Sequence, residues 1–414
     1  MNLIFLLVVL IFVMLPFAWM PYVLVAYTTV KEKNKLWICC LMALYYGIAA
    51  YRFIDPASDP DLVRYIDILR QYEGKTLIES FNLVYSNLFS VDILFYFVAK
   101  MKNVQILPAF ATFVVYYIIF YVLADYRIRK EISTKNFIVY SVFTCSCIIY
   151  AGIVNGIRWP LSYFIFFFAL YREMIQEKKN FFTILLYVIS VFFHFSTLAF
   201  VIMRLALVVK NKKMVIFAGM FTTLIPQLIM TYADKVYGLT SNNIILSSII
   251  YFIWRAKAYF GWSTDEEGWA KQVKNSGYFT FENAFYWIVA IFFIFIIYKM
   301  ATRNENFFNK INIFIFYTLM VTIVSFFMAG HVYIRFVTPL VFMFAIIYFQ
   351  FIKLYETNSI VKVTNICLIG FSLIGTFANL YYLGMMMKLG DYFSDVFSYG
   401  LLRYCLENLF VGFK

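Results

Sequence analysis

A chain of 414 residues that is 64% apolar and 22% aromatic, with a mean hydropathy of +0.80, excludes a soluble globular domain. Its net charge of +13 would suggest nucleic acid in a soluble protein. Here the basic residues cluster between apolar blocks, so anionic membrane lipid is the expected surface partner and nucleic acid is not.

A hydrocarbon core about 30 Å thick takes roughly 20 apolar residues per helix. In chain order, the apolar runs predict spans near 3–27, 36–52, 105–124, 137–154, 158–174, 214–232, 283–299, 311–329, 333–353 and 361–384. The expectation is an all-α, polytopic integral membrane protein of about ten full spans, a single membrane domain over residues 1–414. The first run lacks a basic leader and has the length of a span, so it reads as a helix kinked at Pro16 and Pro21 rather than a cleaved signal. The six cysteines sit mostly inside apolar runs without metal spacing and read as packing residues.

Basic clusters occupy 31–35, 126–135, 171–180, 210–213, 299–310 and 353–362. Cytoplasmic loops collect Lys and Arg, so these clusters mark the inner side. External loops are then expected near 53–104 and 233–282, with both termini outside. Residues 181–209 lie between two basic clusters and are too few for two spans, which predicts a pair of half-helices or a re-entrant hairpin with its tip near His194–Ser196. Irregular backbone at that depth survives only against protein or a cavity. The apolar stretch 81–101 lies between external segments and predicts an interfacial or re-entrant helix. The outer loop 233–282 carries Trp254, Tyr259, Trp262, Trp269 and Tyr278, which read either as an interfacial aromatic belt or as platforms for sugar rings. Dinucleotide and nucleotide-phosphate motifs are absent from the sequence, which argues against a nucleotide-driven machine.

Charged groups next to membrane spans are costly, about 2.5–3.5 kcal/mol each at a helix centre, and are functional candidates by default. Arg52 ends the second span and is followed by Asp55, Asp59, Asp61, Arg64 and Tyr65. With a helix starting near Pro60, Asp61 and Tyr65 share a face at i, i+4; a helix cap with a surface ion pair is the competing reading. Asn155 and Arg158 open the fifth span beside Gly156. Arg158 either snorkels to headgroups or pairs with phosphate through its guanidinium fork, and phosphate is the preferred reading. His194 and His331 are the only histidines, each a candidate base or a hydrogen-bonded structural residue. Tyr333 and Arg335 follow His331; Arg335 lies one turn into an apolar span with no acid nearby in sequence, and a substrate phosphate would serve as its partner. Two histidines cannot build a three-histidine metal site, and there is no acidic metal cluster, so no metal is expected; no cofactor is implied either.

These residues resemble the EpsG family of exopolysaccharide polymerases, relatives of the Wzy O-antigen polymerases. The resemblance rests on Arg52 with the Asp61–Tyr65 segment, on Asn155 with Arg158, on Phe193-His194-Phe195-Ser196, and on a late span bearing Arg335. These motifs run in family order over residues 45–340. Trp159 and Pro160 depart from the pattern, which usually has Gln after the arginine, and the glycine that often precedes the aspartate is missing.

The resemblance implies a GT-C-like glycosyltransferase that polymerises undecaprenyl-diphosphate-linked oligosaccharide repeat units at the outer face of the bacterial cytoplasmic membrane. It implies a chain-length regulator and a flippase as working partners. A base must take the acceptor hydroxyl proton, and cations must stabilise the leaving diphosphate. His194, Asp61 and His331 are the candidate bases; Arg158, Arg335, Arg52 and Arg64 are the candidate diphosphate ligands; Asn155, Tyr65 and Tyr333 are the candidate substrate contacts. A polysaccharide flippase or exporter, or an O-antigen ligase, remains the alternative at this level.

Overall fold

The computed structural model describes residues 20–51, 60–81, 83–84, 88–207, 211, 214, 217, 246, 250, 277–304, 307–326, 332–356 and 358–386. Among them the chain is helical throughout and holds no strand. In order the helices are α1 (Met20–Thr28), α2 (Lys35–Ala50), α3 (Pro60–Gln71), α4 (Leu77–Ser80), α5 (Phe89–Met101), α6 (Ile106–Lys130), α7 (Thr134–Cys147) and α8 (Tyr150–Gly156). They continue with α9 (Arg158–Met174), α10 (Phe181–Phe193), α11 (Leu198–Ala206), α12 (Gly277–Arg303), α13 (Lys310–Ser325), α14 (Val332–Met343), α15 (Ala345–Leu354) and α16 (Ser359–Met386).

Among the described residues four helical segments are long and apolar enough to cross a bilayer: Ile106–Lys130, Phe281–Arg303, Tyr333–Leu354 and Ser359–Gly384. Thr134–Cys147 with Tyr150–Gly156, bent by 55°, makes a fifth if the pair counts as one span. The ten expected spans are therefore not all reproduced at full length. Three of them are helices of 16 or 17 residues (α2, α9 and α13), and the first run and 214–232 lie largely outside the described residues. The expected span at 283–299 also begins earlier, because α12 starts at Gly277 and takes in Glu282. The stretch 181–209 forms two short helices that meet at His194, and 81–101 yields the short α5.

Contacts divide the chain into two units. The first comprises Met1–Phe168, Val188–Phe193 and Gly375–Lys414; the second comprises Ala169–Tyr187 and His194–Ile374.

In the first unit, α2 packs along α6, with α1, α5, α7 and α8 against this pair. The packing is aromatic: Tyr46 stacks on Tyr116 at 3.7 Å between centroids, and the Tyr27 hydroxyl donates to the Phe120 carbonyl at 3.3 Å. At the basic end of α6, Asp125 is fully buried, a position too costly for an unpaired carboxylate. Lys35 donates to it at 2.5 Å and Arg129 at 2.6 Å, while Glu32 takes two further Lys35 bonds at 2.7 and 2.8 Å. At the bend between α7 and α8 the helical ladder is interrupted and backbone groups are left to be satisfied. Asn379 of α16 supplies them: its Nδ2 donates to the Ser146 carbonyl at 2.7 Å and the Ile148 carbonyl at 3.1 Å, and its Oδ1 accepts the Tyr150 N–H at 2.8 Å. Gly375 lets α16 come this close, since a Cβ there would sit 2.6 Å from the Ser146 carbonyl oxygen.

In the second unit α13 lies against α14, and α12 contacts both α13 and α15. Phe293 stacks on Phe344 at 3.7 Å. Arg204 grips Glu173 through two bonds, that from Nε measuring 3.0 Å, and the Tyr187 hydroxyl adds a third at 2.8 Å.

Candidate functional site

The first unit brings together two residues that lie 93 positions apart, Tyr65 and Arg158. Helix α3 is amphipathic, with Leu62, Tyr65, Leu69 and Tyr72 buried along one side at helical spacing. Arg64, Asp67 and Arg70 are exposed on the other side, where Arg70 pairs with Asp67 at 3.2 Å. The buried stripe rests on Phe95 of α5, with Tyr65 at 5.7 Å and Tyr72 at 5.9 Å, both edge-on. The Tyr72 hydroxyl also donates to the buried Asp92 at 2.6 Å, which fixes the helix lengthwise. This docking, together with contact between α3 and α8, sets Tyr65 under Arg158. The Arg158 Nε donates to the Tyr65 hydroxyl at 3.3 Å, and the guanidinium carbon lies 5.8 Å from the ring centroid. Both contacts orient the guanidinium plane.

The backbone leading to Arg158 is strained. Ile157 joins α8 to α9 at φ +35°, a region a β-branched residue adopts only under constraint and at a cost of about 1–3 kcal/mol. The new helix starts directly after it, and Pro160 is tolerated there because first-turn N–H groups have no intrahelical acceptor. The Trp159 indole folds back over Gly156, where a Cβ would lie 2.0 Å from its Nε1. Trp159, the departure from the family pattern, thus uses the space that glycine leaves. Asn155 lies on α8, three residues before Arg158 and across the Ile157 break, and its side-chain oxygen is buried with no hydrogen bond. An unpaired acceptor at this depth costs about 1–3 kcal/mol, which a ligand donor would offset.

In the second unit, His194 caps the 3-10 turn Phe195–Thr197. Its Nδ1 accepts the Ser196 N–H at 3.3 Å and lies 2.5 Å from the Ser196 hydroxyl. An accepting Nδ1 puts the proton of the neutral ring on Nε2. If the tautomer reverses, Nδ1–H can donate to the serine oxygen, and Nε2 becomes a proton acceptor. The reversal costs only the cap bond, about 1 kcal/mol. Ser196 is therefore the orienting partner of this histidine, a role that its i+2 place in the motif did not by itself reveal.

Tyr333 and Arg335 open α14. Tyr333 is fully buried beside Phe326 and Tyr286, at 5.1 and 6.1 Å, while Arg335 is half-buried next to Phe336. The Tyr333 hydroxyl faces Glu282, a fully buried carboxylate inside α12 rather than in the expected outer loop 233–282. Asp61 lies in the first turn of α3. Arg52 and His331 lie outside the described residues. The proposed ligands Arg64 and Tyr65, adjacent in sequence, are separated: one is exposed and the other buried. Among the described residues no group of three or more His, Cys, Asp or Glu converges as a metal site would require.

No protein-family model matches the chain, and no curated protein or solved structure is detectably similar to it.

Proposed function

We propose that this chain is a membrane glycosyltransferase that joins undecaprenyl-diphosphate-linked oligosaccharide repeat units at the outer face of the bacterial cytoplasmic membrane. In this reading it crosses the membrane about ten times in a GT-C-like arrangement. The observation that carries the reading is the Tyr65–Arg158 pair. Two residues singled out by separate motifs of the polymerase pattern meet in one place, and the buried Asn155 oxygen, three residues before Arg158 in sequence, has no hydrogen bond. A guanidinium held by an aromatic hydroxyl and ring suits a phosphate ester, which it meets with parallel N–H donors. Arg335, Arg52 and Arg64 are the further candidate diphosphate ligands. His194, turned by Ser196, takes the acceptor hydroxyl proton, with Asp61 and His331 as the competing bases. Glycosyl transfer from a lipid diphosphate needs no nucleotide, because the donor is already activated.

The test is reconstitution. Purified protein in liposomes with undecaprenyl-diphosphate-linked repeat units should produce a ladder of polymer and free undecaprenyl diphosphate. A flippase would move the glycolipid across the bilayer without lengthening it, and that outcome would overturn the proposal. Orientation is read separately, in a background without native cysteines. Cysteines at positions 60 and 265 should react with an impermeant maleimide from outside, and those at 33 and 212 only after permeabilisation.

A further inference from the structure

We propose that Glu282, with Asn283 and Tyr333, forms a sugar-hydroxyl subsite at the start of α12, and that this subsite receives the acceptor glycan. This assignment rests on the polymerase reading above. Glu282 is fully buried, and neither of its carboxylate oxygens has a well-formed hydrogen bond; the Tyr333 hydroxyl is the polar group that faces it. The side-chain oxygen of Asn283, the next residue, is also buried without a partner. Among the described residues, these buried oxygens lack donors. A ligand that fits must bring several donors of its own, as vicinal sugar hydroxyls do.

The surrounding walls suit such a ligand. Tyr286 and Trp287 lie one turn beyond Glu282 and Asn283, so each polar residue shares a helix face with an aromatic one. Trp287 stacks on Phe326 at 4.8 Å, and Phe326 leads on to Tyr333 at 5.1 Å. A carboxylate bordered by aromatic rings matches both faces of a pyranose, with polar rim to acceptors and C–H face to π-surface. The cluster also lies at the end of α12 away from Lys299 and Arg303. On the basic-loop rule that end is external, the side on which polymerisation is proposed. Left alone, buried carboxyl oxygens without partners are unfavourable, and ligand hydroxyls offset that by donating to them.

Glu282→Gln keeps the shape and replaces one of the two carboxyl oxygens with an amide NH₂, which only donates. In the reconstituted assay it should raise the KM for the acceptor about tenfold, the worth of one or two lost hydrogen bonds. Maximal rate and donor affinity should stay within about threefold, and abundance in the membrane should be unchanged. Asn283→Ala, a milder change, should raise the same KM about fivefold and serves if the glutamine variant is not retained. An unchanged acceptor KM in both variants overturns the subsite.

A measurement independent of turnover separates this inference from the polymerase reading. Lipid-free glycans, released by mild acid from the undecaprenyl-diphosphate pool of the source cell, are titrated into purified protein by calorimetry. Saturable binding that weakens at least tenfold in Glu282→Gln supports the subsite whether or not the protein polymerises. Equal binding, or none by the unaltered protein, overturns it. So does binding that tracks Na⁺ or K⁺ when N-methylglucamine replaces them, because the three oxygens would then hold a cation.

Discussion

Replacing Arg158 by Lys keeps a positive charge at the start of α9 and removes the geometry described for it. Two contributions go. The first is the bond from Nε to the Tyr65 hydroxyl, which at 3.3 Å is long for its type and contributes about 1 kcal/mol. The second is the parallel pair of N–H donors to a diphosphate oxygen pair, which a single ammonium replaces with one bond. Losing one charge-assisted bond of ~1.5–3 kcal/mol, together with the fixed orientation, comes to about 3 kcal/mol in the transition state. That is roughly a 150-fold fall in kcat/KM for the lipid-linked donor, given tenfold per 1.36 kcal/mol. Tyr65→Phe isolates the first contribution: the ring and its contact with the guanidinium remain, so the fall should be only about fivefold. In the double variant the hydroxyl no longer has an arginine to hold, so the two effects should be less than additive by about 1 kcal/mol. The assay is initial polymer formation from purified lipid-linked units, with abundance checked by in-gel fluorescence. Full activity in Arg158→Lys, or a Tyr65→Phe defect as large as the lysine defect, would refute the reasoning.

For His194, Ser196→Ala should slow extension about tenfold by removing the hydroxyl that accepts from Nδ1–H in the base-competent tautomer, whereas His194→Ala should lower it by ~10²–10⁴, the usual range for a general base, with donor binding intact. Native-rate extension by His194→Ala alongside an inactive Asp61→Asn would move the base to Asp61. Lys35→Met leaves Asp125 buried with Arg129 as partner and should destabilise the protein by about 3 kcal/mol in thermal unfolding, while Lys35→Met with Asp125→Leu should recover most of that loss. Asn379→Leu strips partners from two carbonyls and one N–H, a cost of about 3 kcal/mol or more that should appear as lower membrane abundance; a leucine variant as stable as the parent would show that water or another side chain serves the bend.

Local pattern carried a good part of the structure. A proline followed by an acid, with apolar residues at helical spacing, placed the start of α3 at Pro60, and the shortness of 181–209 placed a break at His194. Direction along a single helix was harder. Arg64 and Tyr65 both looked like site residues, but neighbours on a helix point about 100° apart, so burying one exposed the other. Glu282 was missed because a span reading that starts after the last charge leaves a carboxylate in the preceding loop. Its one signal is that it is the sole charged residue in the run 277–298. The meeting of Tyr65 and Arg158, and of Asn379 with the α7–α8 bend, follows from packing between distant segments, for which a single sequence has no periodicity to offer.

The bend at 148–149 has a consequence for how the chain is made. Its polar backbone groups are completed by a residue synthesised some 230 positions later. While α7 and α8 emerge, that partner does not exist, and the exposed carbonyls must be served by water or by the insertion machinery. The segment can settle into the lipid only when α16 arrives and Asn379 closes over it, so a bend formed early is completed by a helix made some 230 residues later. A nascent chain stalled before Gly375 should leave 134–156 open to hydrophilic labelling, and release past residue 386 should shut it.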